Sequence, residues 1–441
     1  MTGRKLLMTF PVTADSHTLA SYRARGGYAT IERVVRERRP EEVTKEVAAS
    51  GLLGHGGAAF PAGRKWGVIK LNDEQPHYLC ANADEGEPGT FKDRWILENA
   101  PHLLIEGMLI AAYALQVRHA FVYIRGEFDL PYRRIAGAVD EAYAAGLLGA
   151  PIAGGGFACD IVVYRGAGSY VCGEASGLLT SLEGRKGYPR NRPPRLTVRG
   201  LYQRPTVVNN VETLANIPAI VRDGAAAFRT VGTAKSPGTQ LISISGHVNK
   251  PGVYEVEYGY PFAKFIHEDC GGIVGGGKLK CVIPGGISTK VLTAAEIEPL
   301  TLDHASVAGA GSGLGSGGMV VIAEGTCMVR LLQVLVRFYH HESCGQCTPC
   351  REGMGWLHKI VDRIVAGQGE LDDIDRLIAI SEANDGTTIC GMGDAAGYAT
   401  VGIIAKYRDE FEYWIKNGRS LHGGRLEAAD HEWQREAAIH G

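Results

Sequence analysis

The sequence predicts an α/β protein in three parts. Apolar strand patterns alternate with helical ones over the first half, a shorter strand-like stretch begins near Thr239, and from Gly325 to about Trp414 the pattern is helical. The 441 residues, 45% apolar and 21% charged, suffice for two to four domains with cores of their own. A formal net charge of -2 gives no electrostatic case for nucleic acid or for an anionic membrane surface. The N-terminus reaches Pro11 before any signal-type apolar run, so the ten cysteines read as reduced thiols of a cytoplasmic protein. No run is long enough to insert directly into a membrane.

Taken in order, Pro40 to Gly51 reads as a helix, with Glu41 and Glu42 in its first turn and Gly51 at its C-terminal cap. A glycine-rich loop follows, from Gly54 to Trp66. Tyr78–Ala81, Ala120–Ile124 and Asp160–Tyr164 read as strands. Between and after them, helices are predicted over Arg94–Leu115 (interrupted near Pro101), Pro131–Leu148 and Gly173–Leu182. That alternation implies a parallel sheet flanked by helices, whose ligands bind beyond the strand C-termini. Asn82–Gly89 and Arg165–Glu174 occupy such positions. Leu241–Val256 alternates around a turn at Asn249–Gly252 and opens a small α+β module ending near Glu324. The expected domains are 1–235, 236–325 and 326–420, followed by a polar tail over 421–441.

The strongest chemical signal is Glu342-Ser-Cys-Gly-Gln-Cys-Thr-Pro-Cys-Arg-Glu-Gly353, with a lone Cys390 downstream. Cys344, Cys347 and Cys350 stand three residues apart, so they can ligate three irons of a cubane that the distant fourth thiolate closes. This is [4Fe–4S] ligation and implies single-electron transfer. Structural zinc is the competing reading, with His340 and His341 just upstream.

The glycine strings divide. Gly272–Lys278 fits a phosphate loop only until Leu279, where a hydroxyl is required, and Gly313–Gly318 leads into a strand-like run instead of a helix. Both read as turn or packing glycines. The Gly54–Gly63 loop can converge backbone N–H groups on a phosphate, with Lys65 adding a positive charge; a tight turn is the alternative. Asn82, Asp84 and Glu85 are placed either to bond a polar ligand or to form a capped turn. Asn209, Asn210 and Thr213, in Thr206–Thr213, either cap a helix or face a ligand.

Together these motifs resemble the NADH-binding flavoprotein subunit of respiratory complex I and its relatives in soluble NAD-linked hydrogenases and formate dehydrogenases. The similarity runs in order from about Ser16 to Trp414. It implies FMN, one [4Fe–4S] cluster and NADH, held by a Rossmann-like domain, a ubiquitin-like (SLBB) domain and a C-terminal helical bundle. Carried onto this sequence, it makes Gly54, Gly56, Lys65, Asn82, Asp84, Glu85, Gly173, Glu174, Asn209, Asn210 and Thr213 flavin-binding positions. Phe60, Glu87 and Tyr170 fall where the nicotinamide nucleotide binds, and Arg192 and Arg195 beside it. No catalytic side chain is implied, because FMN carries the chemistry.

The implied partners are a thioredoxin-like [2Fe–2S] subunit and a large iron–sulfur subunit of a complex I-type peripheral arm. They would hold this chain at the inner membrane without insertion. The alternatives are the diaphorase subunit of a soluble dehydrogenase or hydrogenase, and a flavin and iron–sulfur relay that no longer oxidises NADH. Departures from the family pattern bear on the donor. Ala175 replaces a second acid after Glu174, Val68 and Arg195 replace aromatic residues, Arg192 replaces a lysine, and the glycine loop reads His55 and Ala59. Loss of an acid and gain of arginine remove repulsion against a 2′-phosphate, so NADPH is the alternative donor.

Overall fold

The structure, a computed structural model, describes residues 3–423; the remainder of the expected polar tail lies outside the described residues. Four parallel strands form the first sheet: β1 (His77–Ala83), β2 (Val117–Ile124), β3 (Asp160–Arg165) and β4 (Thr206–Asn210), in the order β3-β2-β1-β4. The order reverses direction between β1 and β4, where Asn82 pairs with Asn210. Such a switch point opens a crevice at the strand C-termini. β4 is an addition to the sequence reading, which saw only a capping or ligand motif there.

Helices cover this sheet. Pro40–Ser50 ends on Gly51 at φ 73°, the left-handed cap that glycine adopts without strain. The helix expected over Arg94–Leu115 is two helices, Lys92–Asn99 and Pro101–Ala114, because Pro101 lacks an N–H and starts a new helix at its first position. The second is apolar nearly all round and is buried accordingly. Gly107 sits where this helix meets Leu214; an added Cβ would collide with the Leu214 carbonyl, so the close crossing requires glycine. The helix expected from Gly173 starts at Ala175, after a 3-10 turn over Tyr170–Gly173, because the Glu174 side chain caps it by accepting from the N–H groups of Ser176 and Gly177.

The second sheet comprises β5 (Thr239–Gly246), β6 (Gly252–Glu257), β8 (Leu279–Ile283), β9 (Leu292–Thr293) and β11 (Gly318–Ala323), ordered β6-β5-β11-β8-β9. β5 and β6 are the antiparallel pair that the alternation predicted. Two short strands, β7 (Tyr260–Pro261) and β10 (Thr301–Leu302), pair alongside. The buried Glu255 carboxylate accepts the N–H groups of Leu6, Leu7 and Met8, tying the N-terminal segment to this module. The C-terminal region is a bundle of Met328–Glu342, Thr348–Val365, Asp372–Asn384 and Met392–Asn417. Among the described residues, no helix is long and apolar enough to cross a membrane.

Candidate functional site

A cavity of about 650 Å³ opens at the switch point of the parallel sheet. Its size falls within the roughly 300–1,000 Å³ usual for cofactor sites. Its walls come from the glycine loop, the ends of β1 and β4, the Tyr170–Glu174 turn, loops of the second module and the Cys390 loop of the bundle. All three parts of the molecule therefore meet at one site.

Asn82 holds two of these walls together. Its Nδ2 donates to the Gly173 carbonyl at 2.8 Å, and its Oδ1 accepts from the Asp84 N–H at 3.1 Å. Asp84 Oδ1 is buried without a protein partner, and burial pushes its carboxyl up to about 7. A buried acceptor of this kind beside a cavity suits a ligand N–H or hydroxyl. The glycines keep the walls thin: a Cβ on Gly56 would stand 3.3 Å from Asn210 Cβ, and one on Gly86 3.2 Å from the Tyr170 ring. These features fit a planar, polar-edged cofactor.

Glu87 and Tyr170 join the three parts. Tyr170 Oη donates to Glu87 Oε2 at 2.5 Å, while the Ser288 N–H and hydroxyl donate to Glu87 at 2.8 and 2.9 Å. Burial raises the Glu87 carboxyl, and these donors pull it back down. The Tyr170 N–H donates to Glu342 of the bundle, and its ring meets Phe338 edge-on at 5.1 Å.

The other expected residues divide by location. Gly173 and Glu174 line the cavity, whereas Gly54, Lys65, Asn209 and Thr213 stand behind its lining. Lys65 Nζ donates to the Val208 carbonyl at 2.9 Å, and burial, with Arg192 nearby, pulls the ammonium down to about 8. Gly54 N–H closes the loop on the Phe60 carbonyl. Asn209 accepts from the Trp66 indole, and Thr213 Oγ1 accepts from the His55 N–H. Asn210 lines the cavity while its Oδ1 caps the helix Val211–Ala215, so the capping reading holds for it. Phe60 is 45% exposed beneath the Arg64 guanidinium, and Arg195 is exposed. Arg192 pairs with Glu174 Oε1 at 2.6 Å, leaving that acid both capping a helix and neutralised. Phe60, Arg192 and Arg195 lie outside the cavity lining.

The four cysteines of the metal motif converge from two segments. Cys347 is the N-cap of Thr348–Val365, Cys350 lies in its first turn, and Cys390 immediately precedes Gly391 and the last helix. Cys347 Sγ accepts the Ile389 N–H at 3.4 Å, tying the Cys390 loop to the triplet. Burial, with Cys350 and Cys344 close by, pushes the Cys390 thiol up to about 11. None of the four is in a disulfide. This donor set fits an iron–sulfur cube, whose irons bind thiolates in place of the thiol protons. Cys390, Gly391 and Met392 also line the cavity, so the two sites share a wall.

Sequence reasoning missed several wall residues. Lys92 and Asp93, just ahead of the helix expected from Arg94, were not singled out, yet both are buried in this wall. Ser288 follows β8 after Pro284-Gly285-Gly286, a strand-end position like the one that marked the Asn82–Gly89 loop. The Gly313–Gly318 string precedes strand β11, as expected, but Gly315 and Ser316 also form part of the cavity wall.

A switch-point cavity for a planar cofactor, walled by a four-thiol site, defines a flavoprotein with an iron–sulfur centre. Residues 47–219 match the Nuo51 FMN-binding domain, 240–320 the SLBB domain, and 330–414 the NADH-ubiquinone oxidoreductase-F iron-sulfur binding region. The chain is 47% identical over 405 residues to an F-type subunit of NADH-quinone oxidoreductase from Rhizobium meliloti, covering 92% of this chain and 96% of that one. It is 46% identical to the flavoprotein 1 of mitochondrial NADH dehydrogenase (ubiquinone) from Dictyostelium discoideum, covering 89% and 82%. Among solved structures, an air-oxidised NAD+-reducing [NiFe]-hydrogenase aligns with a TM-score of 0.79 at 34% identity, over 92% of this chain and 67% of that one. The chain belongs to the F-type subunit family of NADH-quinone oxidoreductases. It is the flavoprotein subunit of an NADH dehydrogenase, with FMN and a [4Fe–4S] cluster as its cofactors.

Proposed function

We propose that the chain is the electron-input subunit of a complex I-type enzyme, oxidising NADH in the cavity and passing electrons through its cluster to partner subunits. The supporting observation is the shared wall: Cys390 belongs to the cavity lining and to the four-thiol site alike. FMN supplies the step from a hydride to single electrons, chemistry no side chain here provides. The protein orients and excludes. Asn82, Asp84, Glu85, Gly173 and Asn210 are the proposed inner contacts of the flavin. Gly54, Gly56, Lys65, Glu174, Asn209 and Thr213 shape the loops around it. Glu87 and Tyr170 form the proposed floor beneath the nicotinamide, with Phe60 at the rim.

The proposed partners are a thioredoxin-like [2Fe–2S] subunit and a large iron–sulfur subunit, which would hold the chain on the cytoplasmic side of the inner membrane. Co-purification with these and with membrane subunits tests this; recovery with a soluble hydrogenase-type partner alone would favour the diaphorase reading. Anaerobic titration of the purified protein with NADH, followed by flavin bleaching and by EPR of the reduced cluster, tests the activity. An oxidised spectrum throughout the titration would refute it and favour the relay reading.

A second reading, NADPH as donor, is favoured by one geometric fact. The acid that remains, Glu174, is neutralised by Arg192 at 2.6 Å, and Ala175 adds no charge at the helix start. Among the described residues, no unpaired acid is left at this helix start to repel a 2′-phosphate. Running the same titration with NADPH separates the two donors.

A further inference from the structure

Five ionisable side chains are packed in and behind one wall of the cavity, none more than 5% exposed: His55, Glu85, Lys92, Asp93 and Glu212. Lys92 Nζ lies 2.7 Å from both Asp93 Oδ1 and Glu212 Oε2. His55 Nε2 donates to the Thr239 carbonyl at 3.1 Å and stands 3.7 Å from Glu212 Oε1. All but Glu212 line the cavity; Glu212 sits directly behind. Burial and the Lys92 charge hold the His55 imidazole down at about 3, so it is neutral. The carboxyls thus outnumber the cation three to one in a medium that penalises unpaired charge, and a proton is the natural complement.

The hydrogen bonds indicate which acid has room for it. Glu85 accepts three N–H bonds, from Lys92 and Asp93 on Oε1 and from Arg94 on Oε2, so although burial pushes its carboxyl up to about 8, only one of its four acceptor sites is open to a proton. Asp93 is held by Lys92 on one oxygen and by Asn210 Nδ2, at 2.5 Å, on the other. Glu212 accepts the Leu241 N–H on Oε1, while its Oε2 faces only the ammonium. On its far side Glu212 faces Tyr258, whose ring lies parallel to His55 and whose hydroxyl is 3.2 Å from the partly exposed His304, next to Asp303.

We propose that this cluster is a charge-compensating proton site for the redox reaction, with Glu212 as the residue that takes up one proton when negative charge enters the cavity. The proposal rests on the reading of the cavity as the flavin site. A hydride brings two electrons and one proton, hence one net negative charge. The balancing proton comes from solvent onto Glu212. It returns to solvent as the two electrons leave singly for the cluster, when the hydride's own proton is released as well. Glu212 is a positioning residue for charge: it touches Lys92 and His55, not the reacting atoms.

Burial lifts the Glu212 carboxyl to about 7 before any charge arrives. Added negative charge lifts it further, so uptake occurs above pH 7 and disappears near pH 5, where the group is already protonated. The test is the reduced-minus-oxidised infrared difference spectrum of the FMN-loaded protein, with dithionite as reductant, at pH 8 and pH 5. A carboxyl C=O stretching band that appears on reduction at pH 8, shifts in D₂O, and is absent at pH 5 is expected. In Glu212→Gln the band is lost, and proton uptake on reduction, followed with a pH indicator, falls by roughly one proton per flavin.

A wild-type spectrum with no such band at pH 8, or a band that persists in Glu212→Gln, overturns the proposal while leaving the flavin site intact. A purified protein that binds no flavin refutes the site reading instead. Because the wild-type spectrum alone can overturn the proposal, the test stands even where the variant folds poorly.

Discussion

The Tyr170 hydroxyl gives a sharp quantitative prediction. Tyr170→Phe keeps the ring against Phe338 but removes the 2.5 Å bond to Glu87, whose carboxyl then has only the Ser288 donors. A hydrogen bond to a buried charge is worth about 1.5–3 kcal/mol. Its loss pushes the Glu87 carboxyl further up, on top of the rise that burial already imposes. A carboxyl raised in the folded state binds more protons folded than unfolded, so stability falls as pH rises from the usual 4.5 through the folded value. The variant should therefore be about 1.5–3 kcal/mol less stable than the parent at pH 8. The deficit should shrink as the pH falls and the raised Glu87 carboxyl takes up its proton. Thermal unfolding at pH 8 and pH 5 measures the difference. Equal deficits at pH 5 and pH 8 would refute the reasoning, because the hydroxyl would then be bonding no charge.

Three further outcomes are expected. Lys92→Met leaves Glu212 and Asp93 facing each other unpaired, costing about 3–5 kcal/mol at pH 8, with part of the loss recovered at pH 6 as Glu212 protonates; denaturation at both pH values checks it. Cys390→Ser should abolish the EPR signal of the reduced cluster while absorbance still reports bound flavin, since the flavin contacts proposed above lie on the sheet and its loops. Ala175→Glu places a second acid at the first helical position beside Glu174; a repulsion of about 1.4 kcal/mol would lower kcat/KM for NADPH relative to NADH tenfold, measured by steady-state rates with both donors.

The strands β1, β2 and β3 were legible because each carries an apolar run between turns; β1 and the end of β2 are buried, whereas β3, at the sheet edge, buries only Ile161. β4 was not, because it ends in Asn209 and Asn210, whose side chains bond Trp66 and Asp93 instead of joining an apolar core. The cysteine motif announced its chemistry through local spacing alone. The contacts that assemble the cavity are of the opposite kind: Glu87 meets Ser288 across 201 residues, and Tyr170 meets Glu342 across 172. No periodicity encodes such pairs. The buried Lys92-Asp93 pair was illegible for a related reason. Charged residues at a helix start look solvated until Glu212 and Asn210, more than 100 positions later, are brought against them.

The loop carrying Cys390 has a consequence for how the protein matures. One face of that loop closes the four-thiol site and the other floors the cavity, so a single short segment must be ordered for both cofactors. Whichever arrives first bears the entropy of ordering it, and the second binds to a segment already in place. By reciprocity, the cluster tightens flavin retention by the same factor that flavin tightens cluster retention. Loss of the cluster would then weaken flavin retention without abolishing it, because the proposed contacts on the sheet and its loops remain.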